Sequence, residues 1–345
     1  MFSIGILGFI VWSFLVGPFN SNIKLFYFAI CQDIILEYST IFYYFSNNLY
    51  FICELTDNIH LDHQMELVSE IVREDSLYFS TLSVVGFKLS SIDNQWIKWF
   101  IGFVEGDGSI ITDKDNRLRF VITQNELAIL DHIQSILGFG EVYYDKGVNS
   151  WRYRVEKLDH ISELAILFNG NLYLDHRIEQ LARWTDVLIH KGYNIDLISN
   201  KISISLNDAW LSGFTDAEGC FNVNIYTRSS MSIGFRVVLR FLLDQNDQNS
   251  LLAIQSLFGF GYVNKRGISS KSYRYTADAF TKLDKLENYY RNFPLKTIKK
   301  DAFLKWVFVR SLMLKKEHLN REGFNSIRKL AKEINNKSTI RNYKE

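Results

Sequence analysis

Residues 99–108 read WFIGFVEGDG, and residues 210–219 read WLSGFTDAEG. Each stretch is an apolar run with helical spacing that ends in an acidic residue followed by glycine. Each run also carries two small residues four positions apart, which places them on one helix face. The pairs are Gly102 with Gly106, and Gly213 with Ala217. Small residues on one face let two helix backbones approach closely, so the two stretches predict two helices that are able to pack closely together.

An internal repeat surrounds these two stretches. Residues 119–125 (RFVITQN) recur at 240–246 (RFLLDQN), and residues 133–140 (IQSILGFG) recur at 254–261 (IQSLFGFG), both at an offset of 121 residues. The sequence SWRY, which begins at Ser150, recurs as SYRY at an offset of 122. A nearly constant offset across separate segments predicts two copies of one structural unit.

The order of patterns within each copy predicts the fold class. An apolar helix is followed by two strands, an amphipathic helix (127–137 and 250–258), a Gly-Phe-Gly turn into a second hairpin, and further helix. Strands that group into hairpins, and do not alternate with helices, favour an α+β fold with antiparallel sheets. We therefore expect an N-terminal extension, a first repeat, a linker, a second repeat and a tail. Their respective bounds are 1–90, 91–190, 191–206, 207–335 and 336–345.

Charge is distributed unevenly along the chain. The net charge is +1, but residues 1–90 hold three basic and nine acidic residues, so the remainder carries +7. The basic excess is densest at 296–333, with eleven basic and four acidic residues. Such a surface is expected for phosphate binding, although a solvated helix face is the alternative for any single lysine. Three scattered cysteines indicate neither a disulfide framework nor a zinc site.

Asp107 and Glu218 end the two predicted helices, at the negative end of each helix dipole. If the helices pair, two carboxylates meet there, and their repulsion raises the pKa of at least one unless a cation intervenes. Oxygen ligands without a histidine or cysteine set favour Mg²⁺. Two or more such ions can activate water and stabilise a leaving oxygen in phosphodiester cleavage. The alternative is a pair of structural helices with solvated acids. Gly108 and Gly219 are predicted to end the helices as left-handed C-caps.

The two motifs, FIGFVEGDG at 100–108 and LSGFTDAEG at 211–219, resemble those of the single-chain LAGLIDADG homing endonucleases. The resemblance covers about residues 91–335. It implies paired motif helices between two pseudo-symmetric halves, and antiparallel sheets that form a saddle along double-stranded DNA. It also implies that Asp107 and Glu218 are catalytic residues that bind the metal ions.

The resemblance assigns supporting catalytic residues as well. Gln124 and Gln245 match polar residues that help order active-site water. Lys300, the last residue of FPLKTIKK, is similar to the basic residue that supports charge at the scissile phosphate. The equivalent stretch of the first half, LYLDHRIE at 172–179, has no lysine, and Arg177 is the candidate substitute. The two halves of the active site are therefore expected to differ.

Strand alternation separates core side chains from outward-facing ones. Arginine pairs with guanine and asparagine with adenine in the major groove, which a β-ribbon can enter. The candidates for DNA contact are Arg117, Arg119, Arg152, Arg154, Asn222, Asn224, Tyr226, Arg228, Arg236, Arg240, Lys271 and Arg274. For about half of them the alternative is an ordinary solvent-facing side of a sheet.

The first twelve residues, MFSIGILGFIVW, resemble a transmembrane segment of cytochrome oxidase subunit 1. This resemblance implies a reading frame that begins in a mitochondrial exon, continues into an intron and is trimmed afterwards. It therefore implies localisation in the mitochondrion. Residues 1–17 are almost wholly apolar, so a membrane anchor is the alternative.

Three functions are compatible with these features. The first is a monomeric, Mg²⁺-dependent endonuclease that starts intron homing by cutting a long asymmetric duplex in the intronless gene, with the cytochrome oxidase gene as the leading target. The second is an RNA maturase that assists splicing of its own intron. The retained motif acids favour cleavage, because splicing assistance needs neither. The third is a membrane protein tethered by residues 1–17, whereas we expect no membrane partner to be needed for activity.

Overall fold

A computed structural model describes residues 92–198 and 201–335. The predictions for the N-terminal extension, including the apolar residues 1–17, and for the tail at 336–345 lie outside these residues. Within the described ranges, none of the helices combines the length and the apolar character that a membrane crossing requires.

The first repeat has the predicted order of helix, hairpin, helix, hairpin and two further helices. Its helices are α1 (Asn94–Asp107), α2 (Leu127–Leu137), α3 (Leu158–Phe168) and α4 (Asp175–His190). Its strands are β1 (Gly108–Thr112), β2 (Leu118–Gln124), β3 (Glu141–Asp145) and β4 (Ser150–Val155).

The second repeat follows the same order and ends with one additional helix. Its helices are α5 (Trp210–Glu218), α6 (Gln248–Phe258), α7 (Asp284–Asn292), α8 (Lys299–Leu314) and α9 (Arg321–Asn335), with short 3₁₀ turns at Phe280–Lys282 and Glu317–Leu319. Its strands are β5 (Gly219–Thr227), β6 (Phe235–Gln245), β7 (Tyr262–Lys265) and β8 (Tyr273–Ala277). Helix α6 begins two residues before its predicted start, because the Asp247 carboxylate caps it by accepting hydrogen bonds from the N–H groups of Asn249 and Ser250.

Each repeat forms one four-stranded antiparallel sheet, with strand orders β1-β2-β4-β3 and β5-β6-β8-β7. In the first sheet Ile110 lies opposite Phe120, and in the second Phe221 lies opposite Phe241. All four side chains are buried, so these faces pack on the helices and form the core. The α+β class with antiparallel sheets is confirmed.

Helices α1 and α5 pack directly against each other, as the small residues predicted. A Cβ atom on Gly213 would lie 1.8 Å from the carbonyl oxygen of Trp99, and one on Gly102 would lie 2.0 Å from that of Trp210. The contact is therefore between backbones, and only glycine fits at these two positions.

The prediction that Gly108 and Gly219 form left-handed C-caps is wrong. Their φ/ψ angles are −75°/155° and −80°/156°, which is extended backbone, and each glycine begins the strand that follows its helix. Glycine is needed for a different reason, since a Cβ on Gly108 would lie 2.6 Å from the carbonyl oxygen of Val104. The chain thus passes from helix to strand without a turn, and the acidic side chain stays at the junction.

Candidate active site at the paired helix ends

Asp107 and Glu218 are the last residues of α1 and α5, and the packed helices bring their ends together. A Cβ atom on Gly106 would lie 2.3 Å from the Cβ of Ala217 and 3.1 Å from the Cγ of Glu218. Two carboxylates therefore share a small region beside two negative helix ends.

Burial raises the pKa of both carboxyl groups. For Glu218 the pKa rises to about 7, because burial and then the nearby negative charge of Asp107 disfavour the ionised form. For Asp107 burial outweighs the opposing effects of Lys299 and of a hydrogen bond from Gln124. A bound cation would relieve this unfavourable electrostatic arrangement.

The two predicted glutamines occupy different environments. The Gln124 side-chain amide donates a hydrogen bond to the Asp107 carboxylate at 2.5 Å. Gln245 instead accepts a hydrogen bond from the N–H of Asn246 at 2.7 Å. The orientation of Asp107 is thus fixed from β2, and the two halves of the site are not equivalent.

The lysine that lies against the helix ends in the second half is Lys299, one position before the predicted Lys300. The Lys299 ammonium donates hydrogen bonds to the carbonyl oxygens of Thr215 (3.2 Å) and Ala217 (2.7 Å), and burial lowers its pKa. The Lys300 side chain is exposed. The helical turn that begins α8 directs consecutive side chains to different sides, so only one of the two lysines reaches the helix ends.

Arg177 occupies the corresponding place in the first half. Its guanidinium donates hydrogen bonds to the carbonyl oxygens of Glu105 and Gly106, both at 3.1 Å. Each motif helix therefore ends against one cation supplied by a later helix of its own repeat. These cations face the negative helix ends and compensate part of their charge.

Two further acids of the motifs, Glu105 and Asp216, have a structural role that the sequence did not predict. Glu105 is fully buried and accepts hydrogen bonds from the N–H groups of Tyr173 and Leu174 and from the Trp210 indole. Burial raises its pKa to about 7. The signal was present in the sequence, because both motifs carry an acid six residues after a tryptophan.

The second of these acids, Asp216, completes a reciprocal arrangement. It is buried and accepts a hydrogen bond from the Trp99 indole at 2.8 Å, as well as from Lys296 and Thr297. The tryptophan of each motif therefore donates to the acid of the other motif. These cross-contacts fix the two helices in register, which in turn sets the relative position of Asp107 and Glu218.

The residues at the helix ends fit a hard cation. Carboxylate oxygens are the ligands that Mg²⁺ prefers, and Mg²⁺ usually binds through one or two carboxylates, with water and substrate phosphate as its other ligands. Among the described residues, no group of three or more acidic, histidine or cysteine side chains forms a complete cage. Asp107 and Glu218 supply two carboxylates, which is within the number that Mg²⁺ usually takes from a protein.

The predicted DNA-contact residues lie mainly on the outward faces of the sheets. In the first sheet this face carries Arg119, Val121 and Thr123 of β2. Arg154 lies opposite Val121, and Arg152 lies opposite Thr123. In the second sheet Asn222 lies opposite Arg240, and Tyr226 lies opposite Arg236. Asn224 falls on the same face, and Arg117, Arg228 and Lys271 are exposed next to strand ends.

Several of these arginines are held by acids of the protein. Arg274 donates to both oxygens of Asp244 at 2.6 and 2.7 Å, and Arg266 contacts the same carboxylate at 3.2 Å. Further ion pairs join Arg117 to Asp113 and Asp115, Arg119 to Asp113, Arg152 to Asp145, Arg154 to Glu141 and Glu156, and Arg240 to Asp278. The outward faces are therefore mixed in charge, and several of their arginines are held by neighbouring carboxylates.

Comparison with known proteins supports the resemblance seen in the motifs. The profile of the LAGLIDADG endonuclease family matches residues 100–188 and 211–309, once in each repeat. A Neurospora crassa protein named probable intron-encoded endonuclease 4 is 38% identical over 251 residues, which is 71% of this chain and 45% of that protein. The Saccharomyces cerevisiae intron-encoded RNA maturase bI4 is 30% identical over 127 residues, 36% of this chain and 19% of that protein. The matched part of the chain spans less than half of either relative.

A solved structure shares the fold across both repeats. The LAGLIDADG meganuclease I-AabMI, bound to uncleaved DNA, is 26% identical with a TM-score of 0.60, covering 70% of this chain and 100% of that chain. The resemblance to a two-motif family is confirmed by these matches.

Proposed function

Because the chain belongs to the LAGLIDADG endonuclease family, we propose that it is a metal-dependent endonuclease that cuts both strands of a long, asymmetric duplex DNA target. The observation that carries this proposal is the pair of half-buried carboxylates that the packed ends of α1 and α5 bring together, where the negative charge of Asp107 raises the pKa of Glu218. Structural helices gain nothing from placing Asp107 beside Glu218, whereas phosphodiester cleavage needs a cation there.

Asp107 and Glu218 would hold Mg²⁺, which supplies an activated water and stabilisation of the leaving oxygen. Gln124 orients Asp107 through its hydrogen bond. Lys299 and Arg177 place positive charge beside the carboxylates from opposite halves. In this proposal both cations would stabilise negative charge that develops on the phosphate, because fixed charges are effective in a partly desolvated site.

The target is proposed to lie in the intronless cytochrome oxidase subunit 1 gene. The supporting observation is the resemblance of residues 1–12 to that protein, which implies an origin within an intron of the gene and action in the mitochondrion. A monomer suffices, because one chain supplies both motif helices. The two repeats differ in sequence, so each would contact a different half of the target, which is therefore expected to be asymmetric.

The test uses the full chain and two duplexes, one spanning the uninterrupted exon junction and one carrying the intron. With Mg²⁺ we expect a staggered double-strand break in the first duplex only, since the intron divides the target. Chelation with EDTA should stop the reaction. Equal cutting of both duplexes, or cutting in EDTA, would contradict the proposal.

Replacing Lys299 with Ala is expected to slow cleavage by about 10²- to 10³-fold, the usual effect of removing one charge-stabilising donor. The matched control is Lys300→Ala, which removes the same charge from the next residue and should leave the rate near that of the wild type. Single-turnover rates on a saturating amount of duplex measure this difference. If Lys300→Ala slowed cleavage more than Lys299→Ala, Lys300 and not Lys299 would be the residue that stabilises charge on the phosphate.

A second candidate function is assistance to RNA splicing, which the similarity to the maturase bI4 supports. The double variant Asp107→Asn/Glu218→Gln separates the two functions, because splicing assistance does not need the carboxylates. If the chain is a maturase as well, this variant should promote splicing of the intron RNA at the wild-type rate while cutting no DNA. Loss of both activities together would argue against an independent maturase function.

A further inference from the structure

The helix α9 follows α8 and has no counterpart in the first repeat, where the chain passes from α4 into the linker. It packs along β5, the edge strand of the second sheet. Near the start of α9, Phe324 stacks on Phe235 at the tip of the β5–β6 hairpin, with ring centroids 4.8 Å apart. At its end, Asn335 reaches the middle of β5. The helix therefore runs along the sheet edge from the hairpin tip towards the helix ends that carry the candidate site.

Asn335 fixes which flank of α9 faces the outward side of the sheet. Its side chain accepts hydrogen bonds from the N–H of Val223 (3.2 Å) and the amide of Asn222 (3.1 Å), and donates to the carbonyl of Val223 (2.7 Å). Asn222 lies on the outward face, opposite Arg240. The flank of α9 that contains Asn335 therefore borders the face on which the predicted DNA-contact residues lie.

The opposite flank of α9 faces α8. Glu333 forms an ion pair with Lys305 of α8 at 3.1 Å. Phe324, Ile327 and Ala331 are buried between these two flanks, where they pack on the core. The orientation of the whole helix is thus defined by contacts on three sides.

A basic stripe lies on the flank that borders the outward face. Arg321, Arg328 and Lys332 are spaced by seven and four residues, which places them on one line along a helix, and all three are exposed. Eleven residues of helix span about 16 Å, long enough to run beside several phosphates of one strand. The acids of α9, Glu322 and Glu333, fall on the other flank by the same helical spacing.

We propose that the stripe formed by Arg321, Arg328 and Lys332 binds the phosphate backbone of the DNA target beyond the bases read by β5 and β6. The ligand class is duplex DNA, because the stripe continues an outward face that already carries Arg236 and Arg240. The stripe extends the footprint on the side of the second repeat only. This inference rests on the proposed DNA endonuclease function.

The experiment measures the dissociation constant for the target duplex, without divalent metal, as a function of salt. Each neutralised phosphate contributes a slope of about 0.9 in log Kd against log salt concentration. The triple variant Arg321→Gln/Arg328→Gln/Lys332→Gln should reduce the slope by about 2 to 3. The charge-preserving variant Arg321→Lys/Arg328→Lys should keep the wild-type slope.

The matched control is Lys329→Gln, which removes a charge from the same helix on the flank of Glu322 and Glu333. It should leave the slope unchanged. A second measurement uses a duplex shortened at the end bound by the second repeat. With this duplex the salt slope of the wild type should fall by the same amount as in the triple variant on the full duplex, and the slope of the triple variant should fall no further. A thermal unfolding midpoint equal to that of the wild type shows that the triple variant is folded.

If the triple variant binds the target duplex with an unchanged salt slope, the proposal is overturned. It is also overturned if the triple variant loses affinity for intron RNA alone and keeps its affinity for the duplex. In both cases wild-type cleavage of the target would leave the endonuclease function standing. If the wild type neither binds nor cuts any duplex from the target gene, the endonuclease function fails, and the DNA-binding role of α9 fails with it.

Discussion

The variants Asp107→Asn and Glu218→Gln are each expected to slow cleavage of the target duplex by at least about 10³-fold, while affinity for the uncut duplex stays close to that of the wild type. Each substitution replaces a carboxylate by an amide of the same shape, which removes a metal ligand but keeps the packing of α1 against α5. Metal ions contribute several kcal/mol of stabilisation in such reactions, and each 1.4 kcal/mol corresponds to a tenfold change in rate.

The measurements are single-turnover cleavage in Mg²⁺ and binding to the same duplex in EDTA. Asp131→Asn is the matched control, since it removes one negative charge from an exposed position of α2 and leaves the helix ends and the outward faces of the sheets intact. It should cut at the wild-type rate. Cleavage by Asp107→Asn at a normal rate would refute the assigned role of the motif acids, and weakened binding alone would indicate a structural one.

The central architecture was predictable because its causes are local. Small residues four apart predicted a close helix pair, and backbone contacts at Gly102 and Gly213 are the result. Period-two patterns gave the correct face for Arg119, Arg152 and Asn222, since alternation along a strand depends only on residue number. The fold class followed from the order of these patterns.

The position of Lys299 was not predictable from spacing alone. Consecutive lysines in FPLKTIKK differ by about 100° of helical rotation, and distant residues fix that rotation. Asp216 accepts hydrogen bonds from Lys296 and Thr297, and Glu126 of the first repeat accepts one from the N–H of Ile298 at 2.9 Å. Contacts across 80 and 172 residues therefore decide which lysine reaches the helix ends.

The cross-strand ion pairs could not be predicted from sequence patterns either. Arg274 was predicted to face outward, and its bidentate contact with Asp244 depends on the register between β6 and β8. The register between β5 and β6, in which Gly219 lies opposite Leu243, brings Asp244 near Glu218, whose pKa its charge helps to raise. The outward face is therefore coupled electrostatically to the site, which strand alternation alone does not reveal.

The substitution Gly213→Ala is expected to destabilise the protein by about 3 kcal/mol or more and to abolish cleavage. Two effects oppose each other here. Alanine in place of glycine favours a helix by about 1 kcal/mol, whereas a Cβ atom 1.8 Å from the carbonyl oxygen of Trp99 forces α1 and α5 apart. Overpacking costs about 1–3 kcal/mol even where side chains can adjust, and the Trp99 carbonyl belongs to the backbone of a buried helix, so the clash prevails.

Urea unfolding of Gly213→Ala, followed by far-ultraviolet circular dichroism, should show a midpoint lower than that of the wild type by about 1 M or more, given a slope of about 1–3 kcal/mol per M. Gly267→Ala is the matched control, because the nearest atom to its Cβ is that of Ser270 at 4.0 Å, and its midpoint should be unchanged. A Gly213→Ala protein as stable as the wild type would show that the two helices do not meet at their backbones. The reciprocal Trp–acid contacts, the shared position of Asp107 and Glu218 and the proposed metal site would then lose their common support.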